Sequence, residues 1–179
     1  MQIMSMSLDY RKNIILSLLQ QKSGMGKTAV MKAMFLLQQV KGVKLGYDFS
    51  IYTYGPYTSD VMEDIDDLVK EGLLSSAMYP VGRCVGYRLS ATEQGRSAAE
   101  KLSDEEAQAL RDISSFVDGK SARELELYST IIYIVNLYAK NSWENSEGPI
   151  VEKVHEIKPH FSTELIQNAY LFLKKEAYI

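Results

Sequence analysis

"SGMGKT", residues 23–28, is the stretch on which the reading of this chain turns. A Gly-Lys-Thr tripeptide closes the phosphate-binding loop of nucleotide-dependent enzymes. There, backbone N–H groups cradle phosphates, the Lys reaches them and the Thr holds magnesium. Such a loop needs an earlier Gly separated from Gly26 by four residues, and Gln21 stands at that position. It also needs a buried strand in front, whereas "NIILSLLQQ" (13–21) has helical spacing and a polar end. No later apolar strand ends in an Asp that would hold the metal. The expectation is therefore a turn between two helices, with Gly24 ending the first and Lys27 and Thr28 opening the second. A nucleotide-dependent enzyme is disfavoured, and no cofactor is expected.

Outward from this turn, apolar spacing sets an order of elements. Residues 7–21 carry Leu8, Ile14, Ile15, Leu18 and Leu19 at helical spacing, with Ser7 or Asp9 as the cap. Residues 27–42 place Val30, Met31, Met34, Phe35 and Leu37 on a wide stripe, and Gly42 ends that helix. "FSIYTY" (49–54) is aromatic and β-branched and reads as a strand, after which "GPY" turns the chain. Residues 58–72 form the cleanest helix. Val61, Met62, Ile65, Leu68 and Val69 make one face, Asp60, Glu63, Asp64 and Asp67 the other, and Gly72 stops it. "LLSSAMYPV" and "CVGYRLS", separated around 80–82, read as a hairpin, and residues 92–102 resume as helix. Helix, helix, short strand, helix, β-hairpin is the order of a winged helix-turn-helix, in which the hairpin closes the side that three short helices leave open.

Residues 103–179 read as four helices. Ser103 with Glu106, and Ser121 with Glu124, stand at capping-box spacing, while Pro149 marks a helix start and Pro159 a stop. "TIIYIVNLYA" (130–139) is apolar nearly all round, so its helix should be the buried axis of this half. The predicted fold class is mainly α with a small β wing. A winged-helix domain over 1–102 is followed by a C-terminal four-helix region over 103–179, packed on it as one unit.

Composition narrows the class further. Of 179 residues, 46% are hydrophobic and 24% charged, the balance of an ordinary globular protein. No apolar run reaches the roughly 18 residues that span a bilayer, and "MQIMSMSLDYRK" (1–12) lacks the cationic start and long apolar stretch of a signal peptide. Cys84 is the single cysteine, so an internal disulfide is ruled out and a reducing cytoplasm is the expected location. The net charge of −3 is uneven: residues 1–102 sum to +2 and residues 103–179 to −5. No basic domain announces a nucleic acid.

Residues 26–74 resemble a known family, the YwgA-like proteins of bacteria and archaea. The resemblance is carried by Lys27, Thr28, Lys32, Phe35 and Leu36 in the second helix, then by Tyr54, Gly55, Pro56, Tyr57 and Thr58 before an acidic amphipathic helix. The ending "EIKPHFSTELIQNAYLFLKK" (156–175) is also similar to that family's ending. The Tyr-Gly-Pro corner more distantly resembles the Panacea-type antitoxin domain, which implies an antitoxin-like or defence-related role. The "YRLSATEQGRSAAEKL" segment (87–102) resembles the wing-to-helix ending of bacterial winged-helix regulators. In the YwgA-like family a Lys-Thr pair opens the second helix, and Thr28 is expected to bond a free N–H there.

The candidate functional residues fall into two sets. Six acids against Lys70 alone across 58–71 make a poor tenant of the major groove. Asp60, Glu63, Asp64 and Asp67, with Tyr54 and Tyr57 beside them, are instead the candidate interface for a basic protein partner. Of Tyr47, Tyr52, Tyr54 and Tyr57, Tyr57 is the one expected to be exposed. For the alternative, a DNA-binding regulator, the candidates are Lys27 and Lys32 on the second helix and Arg83 and Arg88 in the wing. His155 and His160 lie five apart around Pro159, outside helical ligand spacing, so no metal is expected. Cys84, in a strand without a neighbouring His, is expected as a buried thiol. Nothing resembles a nucleophile, base and orienting group. The expected function is a non-enzymatic regulator or adaptor acting through protein contacts, with homodimerisation through the C-terminal helices.

Overall fold

Helix α1, Tyr10–Gln21, starts where the Asp9 carboxylate accepts the Arg11 N–H at 3.0 Å. Ser7, the other candidate cap, lies outside the residues that the computed structural model describes, 8–179. After α1 the chain turns through Gly24, whose φ of +78° only Gly adopts without strain. The Gly24 N–H donates to the Leu89 carbonyl at 2.9 Å. Met25–Gly26 then forms a short strand, β1, antiparallel to residues 88 and 89. "SGMGKT" is thus more than a turn between helices: its middle is a sheet edge.

Helix α2, Lys27–Gln39, begins directly from that edge with Gly26 as its cap residue and no side-chain cap bond. The expected Thr28 cap is corrected here. Thr28 is the second residue inside the helix, whereas a capping side chain must come from the residue before the first. Thr28 is instead exposed. Residues 30–37 of α2 are all buried, Lys32 included, so this helix runs through the centre of the protein. The connection that follows is tied back by Gln38, whose amide nitrogen donates to the Tyr47 carbonyl (2.8 Å) and whose oxygen accepts the Tyr47 N–H (2.9 Å).

Strands β2, Ser50–Tyr52, and β3, Gly55–Tyr57, form a tight antiparallel hairpin with Ile51 opposite Pro56. "GPY", read from sequence as a turn, is the returning strand. Proline has no N–H to offer a ladder and is tolerated because this two-stranded ribbon has only edges. Gly55 takes φ of +84°, and a Cβ there would lie 3.0 Å from the Thr130 hydroxyl. Helix α3, Ser59–Lys70, follows with Thr58 as its cap and Val61, Ile65 and Leu68 buried.

Strands β4, Leu74–Val81, and β5, Cys84–Ala91, make the expected hairpin and join β1 in an antiparallel sheet of order β1-β5-β4. Helix α4, Glu93–Ala98, is shorter than the helix expected over 92–102. Its continuation is drawn off by Asn13, whose side chain accepts the Glu100 N–H (2.8 Å) and donates to the Glu100 carbonyl (3.2 Å). Four helices complete the described chain: α5 (Asp104–Val117), α6 (Ala122–Lys140), α7 (Glu147–Ile157) and α8 (Thr163–Lys175). Both capping boxes form. The architecture is mainly helical with a small antiparallel sheet. One core runs from Ile14 and Phe35 to Ile131 and Leu173, with α2 packed against α5 and α6. Among the described residues no helix is long and apolar enough to cross a membrane.

Candidate functional site

The β2–β3 hairpin projects three tyrosines from one corner: Tyr52 is 66% exposed, Tyr54 70% and Tyr57 37%. Tyr57 is exposed, as expected, but less than Tyr52 and Tyr54, because its ring lies against Tyr52 with centroids 5.6 Å apart. The corner is held from inside by two lysines. Lys158 Nζ donates to the Tyr52 carbonyl at 2.9 Å and to the Thr53 carbonyl as well. Lys32 Nζ donates to the Pro56 carbonyl at 2.6 Å. Lys32 is 2% exposed and Lys158 4%. Their counter-charge is Glu126 on α6, 6% exposed, with Oε1 3.0 Å from Lys158 and 3.2 Å from His160 Nε2. Neither contact at Oε1 has hydrogen-bond geometry, and the Lys158 pair is one of charge. Burial pulls the Lys32 ammonium down to about 8, with Glu126 working against the shift and Lys158 with it.

Two clefts meet at the start of α2. One, of about 440 Å³, lies between α2 and the hairpin and is walled by Met31, Met62, Tyr52 and Tyr57, with Lys27 and Lys32 in its lining. The other, of about 880 Å³, opens towards β4–β5 and the start of α6 and carries Lys120, Arg123, His160 and Glu126. Lys27, Thr28 and Tyr54 belong to both, so the Gly-Lys-Thr stretch forms the ridge between them.

The acidic face of α3 is built differently from its sequence reading. Asp64 is buried, not solvated. It accepts the Tyr47 hydroxyl proton at 2.7 Å and pairs with Arg11 at 3.2 Å, and Arg11 in turn lies over the Tyr47 ring. Burial, and then this carboxylate, push the Tyr47 phenol far up. Asp60 lies 3.7 Å from Arg11, Asp67 3.1 Å from Lys12 and Asp66 3.1 Å from Lys27. The Lys12 bond holds Asp67 below the usual carboxylate range. Of the four acidic candidates only Glu63 is exposed and without an ion pair among the described residues.

The basic candidates also divide. Lys32 is inside the protein and is corrected as a DNA contact, while Lys27 is engaged with Asp66 and stands 5.4 Å from the Tyr87 ring. Arg83 is exposed in the β4–β5 turn, and Arg88 is exposed over the Tyr79 ring at 4.5 Å. Cys84 is exposed beside that turn, opposite Val81, which corrects the expected buried thiol. His155 Nδ1 is 2.8 Å from the Phe161 carbonyl. Sequence reasoning missed Lys158 and Glu126, and weighed His160 only as a metal ligand. The available signal was weak: Glu126 stands between Leu125 and Leu127, four residues before the apolar run 130–139.

No protein-family model matches the chain. It is 35% identical over 91 residues to a protein of Bacillus subtilis (strain 168) described as "Uncharacterized protein YwgA". The match covers 51% of this chain and 53% of the relative, so the chain spans about half the length of the curated relative it matches. That identity supports a YwgA-like family for this chain.

Proposed function

We propose that this chain is a non-enzymatic winged-helix regulator or adaptor that acts through protein contacts at the tyrosine corner, in an antitoxin-like or defence-related role by analogy. The order α1, β1, α2, α3, β4, β5, with the β2–β3 hairpin inserted between α2 and α3, and the β1-β5-β4 sheet support the winged-helix reading. The observation that carries the functional reading is the pair of tyrosines exposed by two thirds, Tyr52 and Tyr54, on a hairpin clamped by buried lysines. Rigid tyrosines bring contact area at low entropic cost, and a preorganised surface keeps most of that gain. The exposed Leu165, Leu171 and Phe172 of α8 support a homodimer through the C-terminal helices.

Affinity capture from the native host, with the wild-type chain and with Tyr52→Ser/Tyr54→Ser side by side, tests the reading. A partner held by the wild type should be lost by the variant while far-UV circular dichroism and Tm stay unchanged. Equal retention by the variant refutes it. The rival reading, a DNA-binding transcriptional regulator, draws support from the exposed Arg83 and Arg88 and loses support from the burial of Lys32. A shift of random duplex at low salt that collapses as salt rises, and that needs both arginines, would favour the rival.

A further inference from the structure

Behind the hairpin the charges do not balance. Lys32 and Lys158 are both buried, and Glu126 is the carboxylate that compensates them, leaving one positive charge over. The partly exposed His160 draws on the same Glu126 oxygen. Lys32 spends one N–H on the neutral Pro56 carbonyl, and its other two have no acceptor among the described residues. A buried ammonium without its counter-charge is strongly disfavoured. This ammonium belongs to the lining of the 440 Å³ cleft, which contains no carboxylate. Lys27, already paired with Asp66, stands in the same lining, at the first turn of α2, which has no side-chain cap.

We propose that this cleft receives a carboxylate from an acidic segment of the protein partner, flanked by apolar or aromatic side chains; the proposal rests on the tyrosine-corner reading above. A single negative charge matches the single surplus ammonium. A phosphate dianion would bring more negative charge than the one surplus ammonium balances, and no arginine fork lines this cleft. Met31, Met62, Tyr52 and Tyr57 suit side chains next to the carboxylate. Beyond the ridge of Lys27 and Thr28, the larger cleft continues the cationic track with Lys120, Arg123 and His160, which fits an extended segment better than a free small acid.

The test titrates the full chain with acetyl-Phe-Glu-Phe-amide, with its glutamine counterpart and with benzoate, by calorimetry and by ¹H–¹⁵N chemical shifts. The glutamate peptide should bind at least ten-fold more tightly than the glutamine peptide at low salt, with shifts centred on residues 27–32 and 52–57. Lys32→Met should bring the two peptides to the same affinity. Thr28→Trp, which fills the cleft and keeps both lysines, should abolish both and stands in if Lys32→Met fails to fold. Equal affinities of the two peptides for the wild type, with shifts still at Tyr52, Tyr54 and Tyr57, overturn the carboxylate site and leave the tyrosine-corner reading intact. Absence of shifts at those tyrosines with either peptide overturns both. Benzoate binding as tightly as the glutamate peptide overturns the peptide occupant in favour of a free acid.

Discussion

Replacing Lys158 by Met tests whether the corner is held by buried charge. The Met side chain keeps the length and apolar stem of the lysine and removes only the ammonium. The carbonyls of Tyr52 and Thr53 and the buried Glu126 carboxylate, 3.0 Å from the ammonium, all lose it. What remains near that carboxylate is His160, partly open to water, and the Lys32 ammonium beyond ion-pair distance. Removing one partner of a buried pair costs about 3–5 kcal/mol, because the other charge stays behind without compensation. That is a large share of the roughly 5–15 kcal/mol that holds a domain together. Lys158→Met should therefore lower the urea midpoint sharply with little change in slope, followed by circular dichroism at 25 °C. Adding Glu126→Gln should restore part of the loss, since it removes the stranded charge. The double-mutant cycle should show a coupling of about 2–3 kcal/mol. Lys158→Met within about 1 kcal/mol of wild type, or strict additivity in the cycle, refutes the reasoning.

Two further predictions follow from the other buried charges. The Lys32 ammonium titrates near 8 in the folded chain against 10.5 for a free lysine, so between these values the unfolded state binds more protons. Stability from this group must then rise with pH, and the wild type should gain about 3 kcal/mol relative to Lys32→Met between pH 7 and 11. A flat difference between the two denaturation series would contradict that sign. Asp64→Asn should cost about 1–3 kcal/mol, because the Tyr47 hydroxyl and Arg11 lose the charge they converge on. It should also bring the Tyr47 phenol titration down in a spectrophotometric pH series, and an unmoved titration would argue against the contact.

Much of this architecture could be read from the residues, because apolar periodicity reports burial wherever a helix has one dry side. Ile14, Ile15, Leu18 and Leu19 on α1, and Val61, Ile65 and Leu68 on α3, lie in the core as their spacing predicts. The hairpin of β4 and β5 and the capping boxes at Ser103 and Ser121 were equally legible, since each rests on residues a few positions apart. β1 escaped notice because a two-residue strand has no period, and its partner lies more than 60 positions away. The site was legible in its tyrosines and not in its charges. A lysine counts as exposed by default, yet Lys32 stands within residues 30–37, which are dry on every side. Asp64 carried a quieter warning. It lies three after Val61 and four before Leu68, a spacing that places it on the buried stripe whatever its chemistry.

These buried charges change the sign of the surface. Counted along its own sequence, α3 and its flanks look strongly acidic and invite a basic partner. Counted in space, Arg11 and Lys12 from α1, Lys27 from α2 and Lys70 of α3 itself lie within 4 Å of its carboxylates and consume most of that charge internally. At close range such pairs cancel each other's field, and salt screens what remains at a distance. The two lysines behind the hairpin share one carboxylate, and the cleft beside them has none. The acid-rich helix is therefore largely offset, with four cations against its six acids and Glu63 outside any ion pair among the described residues. The tyrosine corner, poor in charge when read along the chain, carries an uncompensated positive charge. A partner selected by electrostatics on this face should be acidic at the point where it meets Tyr54.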